Sequence, residues 1–382
     1  GLVDAQASGV WGGVYWDVAS DGTLTLQRSS KPMAVTAVST DPETRATTGT
    51  TTGTLAGTLA DSHGKDYAGS GDSYDGDFFP WYEYAGVITN VVVDPTVAGE
   101  FVYNAAGKMT SSTTSIGKHI ILPENSAGLF AGITGESLVL DATWLDMGGV
   151  EDASFMFAGV ASSDAEAGLH GAVAVTGFAS TGFDEDDNPT GTVVEKMYDP
   201  AHTQGVVYRN KSHDLKSAKT MEGMFANASQ LGSVDLTGME VSSGLENMVG
   251  LFAGDTALTS VTLPGSTVDG FDTSGVKYMD RMFKNCESLG ADGATTLDLT
   301  SLETTALETA TEMFRGAGFE KLSQIVFPLG FALGAGLTSI AYMFADMANL
   351  LQATLPAGFG NTNATHTQNF SYLFYNDRKL VG

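Results

Sequence analysis

Cysteine is almost absent: one residue, Cys286, in 382. A single thiol excludes an internal disulfide framework and a cluster of thiolate metal ligands, and it fits an oxidising or a reducing compartment equally. Charge is scarce too, at 16% of residues, and it is lopsided: 18 Lys and Arg stand against 45 Asp and Glu, a net charge of −27. Such a chain repels phosphate backbones, which excludes nucleic acid as a partner, and it disfavours anionic lipid surfaces. No run of 18 apolar residues occurs, so no direct membrane insertion through a spanning helix is expected. The six histidines lack any metal-ligand spacing.

Apolar residues nevertheless make up 42% of the chain, enough for a large core. With so few charges, the polar surface must be built from Thr, Ser, Gly and Asn, a composition common in secreted proteins. Ala5-Gln6-Ala7 has the small-residue pattern of a signal-cleavage tail, and Gly1 reads as the start of a trimmed, mature chain.

The stretch FDTSGVKYMDRMFKNCESL, Phe271 to Leu289, places Val276, Met279, Met282 and Phe283 in one apolar stripe. Variants of it recur. The phenylalanines Phe225, Phe252, Phe283, Phe314, Phe344 and Phe374 lie 27, 31, 31, 30 and 30 residues apart, and Phe130 and Phe157 are again 27 apart. The 68 residues from Phe157 to Phe225 leave room for two repeats, with Tyr198 as a degenerate anchor. A fixed period of this size means a stacked array. Met221, Met224 and Phe225 at i, i+3, i+4 predict a buried stripe on a short helical or 3₁₀ turn. Leu231, Val234 and Leu236, at +6, +9 and +11 from Phe225, predict a short strand with alternate residues turned inward. Leu258, Val261 and Leu263 repeat those offsets from Phe252. Further inward pairs are Val91/Val93, Ile120/Leu122, Leu138/Leu140, Val173/Val175, Leu297/Leu299 and Ile325/Phe327, and several such strands stop at a proline.

The expected fold class is therefore a repeat solenoid of short parallel strands and short helical or 3₁₀ turns, with about ten coils over residues 86–382. Residues 1–85 do not repeat. Trp16/Val18 and Leu24/Leu26 alternate across Asp21-Gly22, a hairpin signal. Thr/Gly/Ser-rich loops follow, and then an aromatic cluster ahead of the first coil. This segment reads as a β-rich N-terminal cap, which an array end needs to cover its apolar core. Only eight residues follow Phe374. The final coil thus lacks a strand and is expected to be completed by further sequence.

At this level of detail the chain resembles the BspA-like leucine-rich-repeat bacterial surface proteins. Their unit reads F-D-T-S-x-V-x-x-M-x-x-M-F-x-x-C-x-x-L, and Asp272, Thr273, Ser274, Val276, Met279, Met282, Phe283, Cys286 and Leu289 match it position for position. WDVASDGTLTL (Trp16 to Leu26) and WYEYAGVITNVVV (Trp81 to Val93) resemble the family's opening segment and its entry into the first coil. Other repeats depart from the unit, with Ala228, Asp255, Ala317 and Met347 in the cysteine slot. The resemblance implies an exported, secreted protein attached to the bacterial cell surface, acting as an adhesin, and it implies no enzymatic residues.

Candidate sites follow from the array. Cys286 shares its slot with mostly small or apolar residues, which points to packing and not to reactivity. No pair among the 45 acids is marked out for catalysis, and no cofactor is implied. The acidic stretches DSYDGD (72–77) and FDEDDN (183–188) offer oxygen ligands for loop-bound calcium, though neither has the EF-hand spacing, and solvated acidic turns account for both. The outward strand positions are the candidate concave ligand-binding face: Asp141, Asp235, Thr237, Thr262, Asp298, Thr300, Gln324, Gln352 and Thr354, with apolar Val92, Ile121 and Val326 in the same row. No Lys or Arg stands in that row. The expected partner is a protein or glycan on a host or neighbouring cell, basic or neutral polar. The competing expectation is a structural stalk, or a subunit of a surface layer or filament.

Overall fold

The structure, a computed structural model, describes residues 7–27, 79–94, 120–133, 145–160, 214–236, 239–265, 270–291, 296–318, 322–328, 336–347 and 371–378, together with isolated strands and single positions elsewhere. It is strand-rich. Among the described residues there is no α-helix, and the 3₁₀ turn Tyr82–Tyr84 is the one helical element.

The chain opens with β1 (Ala7–Trp11), β2 (Val14–Val18) and β3 (Thr23–Gln27), an antiparallel unit. Trp16 pairs with Leu26 and Val18 with Leu24, all four buried, as the alternation predicts. The turn between them needs its residues. Asp21 Oδ1 accepts the Thr23 N–H at 2.9 Å, and Gly22 sits at φ +88°, where a Cβ would lie 2.5 Å from the Val87 carbonyl oxygen. β3 then pairs in parallel with β4 (Asn90–Asp94), and the ladder continues through β5 (Val139–Asp141), β6 (Val173–Thr176), β7 (Leu231–Asp235) and β8 (Ser260–Thr262). The result is a single eight-stranded sheet. β9 (Thr296–Asp298) and β10 (Gln324–Val326) form a separate parallel pair.

Opposite the strands runs a second ladder, built from the anchor segments. In each repeat four backbone N–H groups, at alternate residues, donate to the next repeat. Met221, Gly223, Phe225 and Asn227 donate to the carbonyls of Asn247, Val249, Leu251 and Ala253 at 2.7–3.0 Å. The pattern recurs from Ser126 to Tyr375, and a column of parallel bridges marks it: Asn125, Asp152, Thr220, Asn247, Tyr278, Thr309, Ser339 and Asn369. Inside this ladder the anchor rings form one column. Phe130, Phe157, Phe225, Phe252, Phe283, Phe314, Phe344 and Phe374 stack in order at 5.3–5.7 Å between centroids. Trp81 continues the column at 6.4 Å from Phe130, and its indole N–H donates to the Leu129 carbonyl. Seven of the eight phenylalanines are fully buried; Phe374 is half-buried.

Three local expectations change. First, the stripe Met221, Met224, Phe225 is buried, but on consecutive tight turns and not on a helix. The residues two before and two after each anchor have positive φ, for example Arg281 at 56° and Asn285 at 61° around Phe283. That conformation ends any helical run and aims alternate N–H groups at the neighbouring repeat. Secondly, Phe157 stacks directly on Phe225 at 5.3 Å and 8°, and the Ala153 N–H donates to the Thr220 carbonyl. The 68-residue step is thus one repeat carrying an insertion, and Tyr198, which lies outside the described residues, is not an intervening anchor. Thirdly, Ile120 and Leu122 are buried, but Ile120–Ile121 pairs with Leu145–Asp146, apart from the main sheet. The column accordingly holds eight phenylalanine anchors among the described residues, with Trp81 at its head.

Each buried ring contributes through area and through its two stacked neighbours, the latter about 0.5–1.5 kcal/mol per pair. Phe283→Ala is expected to destabilise the protein by roughly 3–5 kcal/mol in equilibrium denaturation, and Phe374→Ala by less. Equal costs at both positions would show that the column does not carry the stack.

Candidate functional site

Of the nine candidate residues on the strand face, four are described with exposed side chains: Thr262, Asp298, Thr300 and Gln324. Asp141 and Asp235 end β5 and β7, and Asp235 stands in register with Thr262. Thr237, Gln352 and Thr354 lie outside the described residues. So do all six histidines and the acidic stretches 72–77 and 184–188. Among the described residues no group of three or more His, Cys, Asp or Glu is placed to hold a metal ion, and no helix is long and apolar enough to cross a membrane.

The structure brings several of these positions together in a way the sequence reading missed. β8 and β9 follow successive anchors, Phe252 and Phe283, yet they are not paired. The inward pair Val261/Leu263 comes 9 and 11 residues after its anchor, whereas Leu297/Leu299 comes 14 and 16 after Phe283. β9 thus comes five residues later, a delay that does not by itself break a ladder, since β6 starts 16 residues after Phe157 and is paired on both sides. One end of the gap is held closed by the Gly290 N–H, which donates to the Thr259 carbonyl at 3.1 Å. Beyond it, among the described residues, each strand is bonded on its outer side alone: the Leu236 N–H donates to Thr262 O, and the Leu299 N–H to Val326 O.

Between them lies a cleft of about 450 Å³, within the usual range for ligand sites. Its apolar lining is Val261, Leu263, Leu289, Leu297 and Leu322; its polar lining includes Ser260, Thr262, Thr296, Asp298 and Thr300. Asp298 Oδ1 accepts from the Thr300 N–H and hydroxyl at 2.9 and 2.7 Å, and the Thr296 hydroxyl donates to Gln324 Oε1 at 3.3 Å. Thr262, Asp298 and Thr300 thus share one cleft, with Gln324 tied to its wall. Among the described residues of the lining there is no Lys or Arg.

Two chemically distinctive side chains occupy the slot three residues after the anchors Phe252 and Phe283. Cys286 is fully buried, its thiol donates to the Phe252 carbonyl at 3.1 Å, and burial, then the neighbouring Asp255, push its pKa well up. The packing role holds. Asp255 is the residue that sequence reasoning passed over, although its place in an otherwise small or apolar slot was the signal. It is fully buried; Oδ1 accepts the Ala228 N–H at 2.8 Å, and Oδ2 has no partner. Burial raises its pKa well above the carboxylate range, against the lowering effect of that hydrogen bond. Asp377, in the same slot of the last anchor segment, accepts the Met347 N–H at 2.8 Å and is raised by burial to about 7.

A family model described as a Mycoplasma protein of unknown function, DUF285, matches residues 192–325, about a third of the chain. That span includes Phe225, Phe252, Phe283, Phe314 and the cleft. Among solved structures the chain is similar to a leucine-rich repeat protein from Eubacterium ventriosum, at 14% identity over 92% of each chain and a TM-score of 0.24. No curated protein matches.

A carboxyl whose pKa is raised on folding keeps its proton when the unfolded chain has released it. Its contribution to stability is therefore complete below the unfolded value, about 4, and is lost as pH rises towards the folded value. Asp255→Asn removes that component. Denaturation midpoints from pH 4 to 8 are expected to fall less steeply for the variant than for the parent, and identical slopes would show that the carboxyl is not buried. Cys286 is expected to resist iodoacetamide in the folded protein and to take up one equivalent in denaturant; rapid labelling without denaturant would contradict its burial.

Proposed function

We propose that this chain is a capped leucine-rich-repeat solenoid of a bacterial cell surface, and that it works as a non-catalytic binding protein, an adhesin. Its ligand face is the outward row of the strands, centred on the cleft between β8 and β9. The observation that carries the reading is the convergence of Thr262, Asp298 and Thr300 on that cleft. The repeat resemblance supports export and surface attachment, and the family match over 192–325 supports the repeated region as the unit of relatedness. The β1–β3 unit, joined to the parallel run through β3, supports the cap assignment.

Electrostatics narrows the partner. Five of the chain's bases form ion pairs between repeats: Lys216 with Glu240, Lys219 with Glu151, Lys277 with Glu246, Lys284 with Glu312, and Arg315 with Asp346. With no base among the described residues of the cleft wall and a net charge of −27 on the chain, a basic or neutral polar surface is the complement, and charge steers its approach. A second reading, a stalk or filament subunit, draws on the unbroken anchor ladder, which makes the array stiff.

The test uses a host-surface protein captured by the purified chain. Asp235→Lys with Asp298→Lys is expected to lower the association rate and to leave thermal stability unchanged. Raising salt lowers the parent's rate, since exposed charges are screened beyond about 8 Å at physiological ionic strength. If capture is indifferent both to the double substitution and to salt, the strand face is not the site and the stalk reading takes its place.

A further inference from the structure

We infer that the cleft between β8 and β9 takes an extended peptide segment of a partner protein, inserted as an added strand parallel to both walls. This rests on the strand face being the binding face, and it specifies the partner's form: main chain of about three residues, the length of β8 and β9, with apolar and basic side chains in alternation.

Two facing strand edges carry the inference. A parallel strand bonds a neighbour on each side, and an edge left open is a template for another chain. Everywhere from β3 to β8 the edges are mutually satisfied. At this gap, among the described residues, two edges of the same direction face a shared cleft, β8 paired outward to β7 and β9 outward to β10. An added strand of the same direction restores the ladder on both sides and turns two separate sheets into one.

Side-chain chemistry then follows from register, because neighbours in a parallel ladder share a face. A residue level with Val261 and Leu297 points to the apolar side, where Leu322 is also buried, and must itself be apolar. Residues level with Thr262 and Asp298 point to the exposed side, beside a carboxylate and, among the described residues, no base. Lysine or arginine fits there. A glycan offers neither the amide ladder nor the apolar tooth, so the geometry favours peptide.

The probe is a blocked Lys-Val-Lys-Val-Lys peptide, and the control is the same sequence with N-methylated valines, which keeps charge and side chains but loses ladder donors. With the full purified chain, the first peptide is expected to bind, to slow amide hydrogen exchange at 260–262 and 296–298 but not at 90–94, and to lose affinity in Asp298→Lys. The control is expected not to bind. Equal binding of both peptides would reduce the effect to charge attraction and overturn strand insertion. So would no binding at millimolar peptide, or capture of a surface protein that excess peptide fails to displace. The peptide assay needs no natural partner, so its failure is distinguishable from failure of the strand face: capture that remains sensitive to the Asp235→Lys, Asp298→Lys pair would leave the face standing and remove only the inserted strand.

Discussion

Parallel backbone hydrogen bonding between repeats sets the spacing that everything else must match, about 4.8 Å per step. Rings stacked on that rise cannot sit face over face. Centroid separations of 5.3–5.7 Å at small interplanar angles mean that each ring is shifted sideways over the next, the arrangement that aromatic quadrupoles prefer. The same rise forces compensation in side-chain size. A Cβ on Gly223 would lie 2.2 Å from the Phe155 ring, and Cβ atoms on Gly254 and Gly316 would lie 2.4 and 2.7 Å from Asn227 and Asn285 Oδ1. Large residues in one repeat thus lie over glycines in the next. The ladder also holds non-glycine residues in the left-handed region, including Phe155, Arg281, Glu312 and Tyr342, at a cost of about 1–3 kcal/mol each. Four backbone hydrogen bonds and a buried ring per junction offset that strain.

Charge follows from the same geometry. Side chains at equivalent positions in adjacent repeats are forced close together, so like charges stacked along the array would repel. Bases inserted at alternate positions relieve this: Glu151, Lys219, Glu246, Lys277 and Glu308 occupy one column, with ion pairs of 3.2 Å for Lys219–Glu151 and 3.3 Å for Lys277–Glu246. Exposed pairs of this kind each contribute little to stability. Their larger consequence is that bases are drawn into the stack while the excess of acids remains for the surface.

Much of this was legible. The phenylalanine period located the ring column because a repeated bulky residue has one place to go when repeats stack. Gly132, Gly159, Gly254 and Gly316, with Asn227, Asn285, Asp346 and Asn376, all two residues after an anchor, also spelled out the positive-φ position, since those residue types tolerate it best. The i, i+3, i+4 stripe misled: it reports which side chains are inward, and two tight turns place them inward as well as a helix does. The Asn, Asp, Thr and Ser five residues before most anchors were missed. All but Thr309 accept an N–H two residues on, as Asn247 does from Val249 at 2.8 Å, a local turn bond that carries no hydrophobic signal. The 68-residue gap was misread because period alone cannot separate a degenerate repeat from an insertion.

The junction between the Phe252 and Phe283 repeats gathers the departures from regularity: the five-residue insertion, the open strand edges, the buried carboxyl of Asp255 and the buried thiol of Cys286. It survives them because the anchor side is untouched there. Met248, Gly250, Phe252 and Gly254 still donate to Tyr278, Asp280, Met282 and Lys284, and the two rings still stack at 5.4 Å. An array held by two independent ladders can lose one locally without coming apart, whereas an array held by strands alone would split at such a gap. The division of labour is therefore physical. The anchor ladder and ring column keep the repeats in line, which frees the strand side to be interrupted, and an interruption is where a regular sheet acquires edges that another chain can read.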